Sequence, residues 1–574
     1  MSRGRRVLAA LILTLVPSLL AAEAPPASPE ALRKLASGYY RWRNEQYPVA
    51  ASDQGLHAGD ARLTDWSAAA VAARREHVRG VLDAVRGAKT AAWTRDDRID
   101  AVLFHAQLEG VDLFDRFLSF PETNPGLYVE ECSSAIFSLL KKDYAPARVR
   151  ALAAASRLEK MPALLAEARK NLTRPVALHA RLAIQSARQM DGLFTDSLMT
   201  LAGDLSAGER ARLVTARDRA LSALNAFADS LEKDVPKMVA FAPMGEASYD
   251  ELLRRVYLLP IDAKELAMLG DVELARFRAL EALLADPSMA DPDPARAAHV
   301  PKDQEGFLKA YESRQAEMIR FLKEKRLVTL PPSLGAFRIR QLPEAFKPTS
   351  PGGFMNAPGL YDADSGGFYF IPTYDPRSRN FYIRAAIEDP RPILGHEGIP
   401  GHFLQISISN ALANEIRREH GDGVFIEGWA LYGEEMLMRQ GLYAEGSAGQ
   451  GQVLRLARYR AARIGVDVNL HTGRWTFDDA VRSFMEAGGL DREAAEGEAA
   501  GAAASPTQKM TYMTGKWQIL RLLGKWREKK GAAFRLGEFH DALLAHGSLP
   551  LSVVEWILFD DPSSVEKALG GLGR

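Results

Sequence analysis

Apolar residues recur at three- and four-residue intervals from about residue 30 to residue 327, and this period predicts amphipathic helices. Segments 30–46, 98–118, 206–231, 263–284 and 305–327 carry it most clearly. Proline and aspartate gather at 121–125 and 286–294, where turns are expected. Between 328 and 375 the pattern changes. Prolines and glycines cluster, and the alternating stretches 337–340 and 367–371 read as short strands of a small sheet. Helical spacing returns over 391–574. There Thr476 and Asp479 form an acidic capping box ahead of Ala480, Val481 and Phe484, and Gly547 and Pro550 separate a pair of late helices. The alanine-rich stretch 493–504 fits a helix as easily as a linker. The expected fold is mainly α, with a helical scaffold lobe over 23–327 and a second lobe over 328–574 that holds the sheet, or one continuous domain over 23–574.

The chain has 574 residues, with 73 basic and 73 acidic side chains. That balance argues against nucleic acid as the main partner and favours a peptide or small-molecule substrate. Arg3, Arg5 and Arg6, an apolar run from Val7 to Leu20, then Ala21-Ala22-Glu23-Ala24 follow the order of a secretory signal, with cleavage expected after Ala22. The run is too short for a membrane span, and no cysteine sits there to accept a lipid. The expected mature chain, from residue 23, is soluble and exported to the periplasm or beyond, without stable membrane insertion. Cys132 is the only cysteine, so an intramolecular disulfide and a thiolate-rich metal site are both excluded. Glu130 and Glu131 would raise its pKa rather than activate it, and it reads as structural.

Chemistry concentrates at His396-Glu397-Gly398-Ile399-Pro400-Gly401-His402, followed 25 residues later by Glu427. Two imidazoles and a carboxylate would hold Zn²⁺, or another divalent ion, with a fourth position open, and an adjacent glutamate could take a proton from water there. The spacing is unusual. Six steps of about 100° would point the second imidazole roughly 120° away from the first on an unbroken helix. Pro400 removes the N–H that would bond the His396 carbonyl, so a bulge or break at Pro400-Gly401 is expected to swing His402 back. His396 and His402 are therefore assigned as ligands, Glu427 as the third, and Glu397 as general base.

The run 394–405 and the later Glu427-Gly-Trp-Ala-Leu-Tyr-Gly-Glu434 resemble the bacterial family called "domain of unknown function 885". Arg463 to His471 with Gly473 and Trp475, then Pro506, Gln508, Tyr512, Gly515-Lys516 and Phe539-His540-Asp541, resemble its later blocks in the same order. The family is similar to zincin-type, gluzincin-like metallopeptidases. The resemblance thus implies a large helical zincin-like fold with a small sheet before the active-site helix. It also implies that strand 367–371, as an edge, is placed to pair with extended substrate; on pattern alone it could equally be a structural hairpin. Two departures stand out. Phe403 replaces the second histidine of the family's His-His pair, and segment 498–505 lacks the Arg-Tyr pair expected after its glutamate.

Further roles are assigned around this core. Glu434, which shares a helical face with Glu427 at i, i+7, is favoured over Glu435 to orient a ligand histidine. His471 and Tyr512 are the candidate donors for a developing oxyanion, the tyrosine favoured by the resemblance. Asp467, four residues before His471, could hold that ring's tautomer. Arg463 and Lys516 could grip a substrate carboxylate or form internal ion pairs. The leading expectation is an exported zinc metallopeptidase. A metal hydrolase of non-peptide amides or esters, and an inactive metal- or peptide-binding protein, remain open on these residues.

Overall fold

The computed structural model describes residues 23–284, 301–342, 353–378, 380–444 and 446–571. The signal-like segment and the 286–294 break lie outside these residues. The principal N-terminal helices are α1 (Pro29–Gln46), α2 (Arg95–Leu118), α3 (Ala147–Asn171), α4 (Ala207–Asp234), α5 (Ala263–Leu284) and α6 (Gln304–Lys325). Their starts follow local chemistry. Ser28, Thr94, Ser206 and Asp303 each accept the backbone N–H three residues on, satisfying donors that a helix start leaves open.

Three strands follow: β1 (Phe337–Gln341), β2 (Phe354–Asn356) and β3 (Gly367–Ile371). Their spatial order is β1-β3-β2, with β1 parallel to β3 and β2 antiparallel to it. This corrects the expectation that 367–371 is an edge strand for substrate. Both hydrogen-bonding sides of β3 are taken, and all five of its residues are buried. The reason is β2, whose three residues are too few to show an alternation in the sequence. The structural alternative fits better: β3 pairs antiparallel with β2, the strand before it, whereas β1 and β3 are parallel and joined by a crossover.

The C-terminal helices that matter here are α7 (Arg391–Glu397), α8 (His402–Asn410), α9 (Gly423–Arg439), α10 (Ala448–His471), α11 (Arg492–Ala504) and α12 (Thr511–Lys530). The alanine-rich stretch is thus helical, and Ala495, Ala499 and Ala502 are buried. Thr476 and Asp479 form the expected capping box. One hydrophobic core joins Leu32, Phe104 and Met318 to Trp429 and Val553. A second packs α3 and α4 beneath Phe368 and Phe370 of β3. A third sets α5 against α9, α10 and α12 through Phe277, Val424, Ile464 and Met513. Cys132 is fully buried, and burial drives its thiol well above the usual range. Neutral sulfur in an apolar setting packs as a small hydrophobe.

Candidate metal centre

The backbone around the two histidines does not kink; it stops and restarts. Helix α7 ends at Glu397, residues 398–401 form a turn with a cis Ile399–Pro400 peptide, and α8 begins at His402. The turn folds onto the helix it has just left. A Cβ on Gly401 would lie 1.9 Å from the His396 carbonyl oxygen and 2.4 Å from that of Gly395, so only glycine fits. Trp429 Nε1 donates to the Pro400 carbonyl at 2.7 Å and ties the turn to α9. As a result the His396 and His402 rings lie 4.7 Å apart at 81°.

Glu427 arrives on α9, which starts at Asp422, whose carboxylate accepts from Phe425 N at 2.7 Å. Burial raises the Asp422 carboxyl from 3.8 to about 7. A carboxyl with a folded pKa above its unfolded one loses stability as pH rises between the two values. Asp422→Asn keeps an N-cap and removes that cost, so the variant should melt at higher temperature than wild type at pH 7 and show no gain near pH 4; a pH series of melting curves reads this directly. Helices α9 and α12 then cross very closely. A Cβ on Gly515 would lie 1.8 Å from the Val424 carbonyl oxygen and 2.8 Å from Gly428 Cα. Gly515→Ala should therefore force the helices apart and destabilise the fold by about 1–3 kcal/mol or more. An unchanged urea midpoint would show that the crossing is not tight.

At the centre, His396, His402 and Glu427 each offer one ligand atom, and all three atoms lie within 4.8 Å of one another. Glu427 Oε2 is 3.4 Å from His402 Nε2 and 3.6 Å from His396 Nε2. That oxygen is buried and has no hydrogen-bond partner. An unpaired carboxylate oxygen costs free energy when buried, and a cation between it and two imidazole nitrogens would satisfy it. The residues present therefore fit a divalent metal with nitrogen and oxygen donors. The three side chains and Glu434 are also coupled as charges. Burial alone would lower the His396 pKa, but Glu427 and Glu434 outweigh it and raise the ring to about 9. Burial would likewise raise Glu427, yet His402 and His396 hold it well below the usual carboxylate range.

A family described as bacterial proteins of unknown function, DUF885, matches residues 48–558. The chain belongs to this family. Two solved structures share the fold of this DUF885 protein. One is a candidate lipoprotein of unknown function from Shewanella oneidensis, 23% identical, with a TM-score of 0.73 over 93% of this chain and 100% of that one. The other is a candidate lipoprotein from Colwellia psychrerythraea, 17% identical, with a TM-score of 0.74 over 95% of this chain and 99% of that one. A search of curated proteins returns no match.

Around the trio, this DUF885 chain places some assigned residues and not others. Glu434 Oε1 meets His396 Nδ1 at 2.7 Å, which fixes the ring so that Nε2 faces Glu427. Tyr512 stacks on His396 at 6.2 Å and 16°, and its hydroxyl accepts from Gln508 at 3.3 Å. Burial, aided by Glu427, raises its phenol pKa, so the hydroxyl stays a donor at neutral pH. Glu397 is half-buried, outside the trio, and makes no hydrogen bond or ion pair with the described residues.

His471 is elsewhere. Its Nε2 bonds the Ala502 carbonyl at 2.9 Å, and its ring lies between Phe241 and Tyr249; none of these contacts reaches the trio, so the oxyanion assignment is corrected to a packing role. Asp467 does not set that ring's tautomer by a hydrogen bond. It accepts from Tyr249 Oη, Thr507 N and Met510 N instead, tying the turn before α12. Lys516 is buried against Glu435, which also binds Arg276, and is not free to grip a substrate carboxylate. Arg463 pairs with Glu498 at 3.0 Å, which Lys509 also meets, and stacks over Tyr512. Segment 498–505 thus lends its glutamate to an internal ion pair. Phe403 turns away from the trio and packs on Phe337 at 4.8 Å. Arg460 is the residue that sequence reasoning missed. It lies 3.5 Å from Glu434 and over the Tyr512 ring, and its only signal was a shared helical face with Arg463 and Asp467.

Proposed function

We propose that this protein is an exported, zinc-dependent metallopeptidase of the zincin type, with His396, His402 and Glu427 as ligands. The observation that carries the reading is the buried Glu427 oxygen, without a hydrogen bond, between two imidazole nitrogens, one of them on a ring held by Glu434. A zinc ion there would act as a Lewis acid that polarises a carbonyl and makes water acidic near neutral pH. Glu397, next to a ligand but outside the ligand set, takes the proton of the attacking water and passes it to the leaving amine. Tyr512, its oxygen already accepting from Gln508, has its O–H available for the oxygen that gains charge. Arg460 and Glu434 keep the His396 ring in place.

Export is supported by the signal-like N-terminus and by two structural neighbours described as candidate lipoproteins. No helix among the described residues is long and apolar enough to cross a membrane. Metal analysis of the purified protein, followed by peptide-library digestion with and without a chelator, tests the reading. Zinc at one ion per chain with chelator-sensitive cleavage is expected. Bound zinc without cleavage of any peptide would instead favour ester or non-peptide amide substrates, or a binding protein.

A further inference from the structure

We propose that the pocket bounded by Trp42, Tyr361, Arg418 and His420, which adjoins the helices that carry the candidate ligands, is a substrate subsite, and that it takes a carboxylate attached to a planar or bulky apolar group. The inference rests on the hydrolase reading for its place in a reaction, and on independent features for its chemistry.

The first feature is position. The pocket, of about 500 Å³, is lined by Ile406 and Ile426. Ile406 is four residues after His402 on α8, so both sit on one helical face about one 5.4 Å turn apart. Ile426 immediately precedes Glu427 on α9; neighbouring helix positions point about 100° apart, and none of His396, Glu397, His402, Glu427 and Tyr512 lines the pocket. The opposite wall comes from α1 and from the loop at Tyr361, so the cleft lies between the N-terminal helices and the ligand helices.

The second feature is charge. Arg43, Arg418 and Glu419 are the charged residues that line it. Glu419 is fully used: Arg43 binds it at 2.9 Å and the Tyr361 hydroxyl also donates to it. Arg418 makes no ion pair or hydrogen bond through its guanidinium with the described residues, and its Nε is buried without a partner. One positive charge is therefore left over in a concave, half-dry site, where a planar fork of donors matches a carboxylate.

The third feature is an unsatisfied imidazole. His420 is only 8% exposed, and its Nδ1 is buried without a partner. Burial lowers its pKa to about 4, so the ring is neutral and offers one donor and one acceptor. Tyr39, Trp42 and Tyr47 supply aromatic surface for the rest of the ligand.

The test compares N-acetyl-phenylalanine with its amide by calorimetric titration of the metal-loaded protein, wild type and Arg418→Gln. Wild type should bind the acid about 10–100-fold more tightly than the amide, the range of a charge-assisted hydrogen bond, and Arg418→Gln should erase the difference while Arg418→Lys keeps some of it. Equal affinities in wild type, or a preference that survives Arg418→Gln, would overturn the proposal. Peptide pairs ending in a free carboxylate or an amide give a second readout, in which the preference should appear in KM. An Arg418-dependent acid preference in a protein that cleaves no peptide would sustain this pocket and sink the peptidase reading; cleavage without any preference would do the reverse.

Discussion

Glu397→Gln should leave bound zinc at the wild-type level and lower turnover by about 10²–10⁴-fold, the usual worth of a positioned general base. The two results belong together because of where Glu397 sits. It is the residue after a candidate ligand histidine, yet its carboxylate is not among the three that converge, and it is tied down by no described neighbour. An amide keeps its shape and removes only the ability to accept a proton. Metal content by elemental analysis and kcat on the best library peptide decide the matter. A variant with normal kcat refutes the base, whereas one that loses zinc shows that Glu397 helps to hold the ion.

His402→Ala should abolish stoichiometric metal binding, and Glu434→Gln should only weaken it by about 10–100-fold, as loss of a partner behind a ligand usually does. The contrast follows from the distances. His402 presents Nε2 to Glu427 directly, whereas Glu434 touches the far nitrogen of His396 and acts through that ring. Competition with a graded series of chelators measures both. A binding site intact in His402→Ala would move the metal away from this trio and end the assignment. The zinc-loaded wild type should also melt at a higher temperature than the stripped protein, since an ion that binds only the folded state adds about 4 kcal/mol at a thousandfold excess over its dissociation constant.

Helices in the N-terminal half were legible because their apolar period and their caps are local. Ser206 and Thr94 start helices where a sequence reader would place them. The sheet was half legible. Gly367–Ile371 is a short apolar and aromatic run, but nothing in those five residues says whether one or two strands flank them, and Phe354–Asn356 is too short to announce itself. Among the site residues, Glu434 could be chosen over Glu435 by helical phase alone, and the structure turns Glu434 to His396 and Glu435 to Lys516. His471 could not be placed in that way. Its helix is buried on nearly every side, so phase does not tell which neighbour each polar residue meets. The roles of Arg460 and Lys516 depend on partners 26 and 81 residues away in the chain.

The sequence by itself determined the candidate ligand types, their order, the glutamate beside the first histidine and the need for the helix to fail at Pro400. These follow from side-chain chemistry and from the geometry of a single helix. Only the tertiary structure decided that the chain stops and restarts instead of bulging, that β3 lies inside its sheet, and that Glu427 reaches two imidazoles. That last meeting rests on α9 packing against α7 and the turn after it, where Trp429 donates to the Pro400 carbonyl and Gly433 faces Pro400 and the Gly395 carbonyl. Such contacts join segments far apart in the chain, and no local period encodes which of the many apolar helix faces will pair.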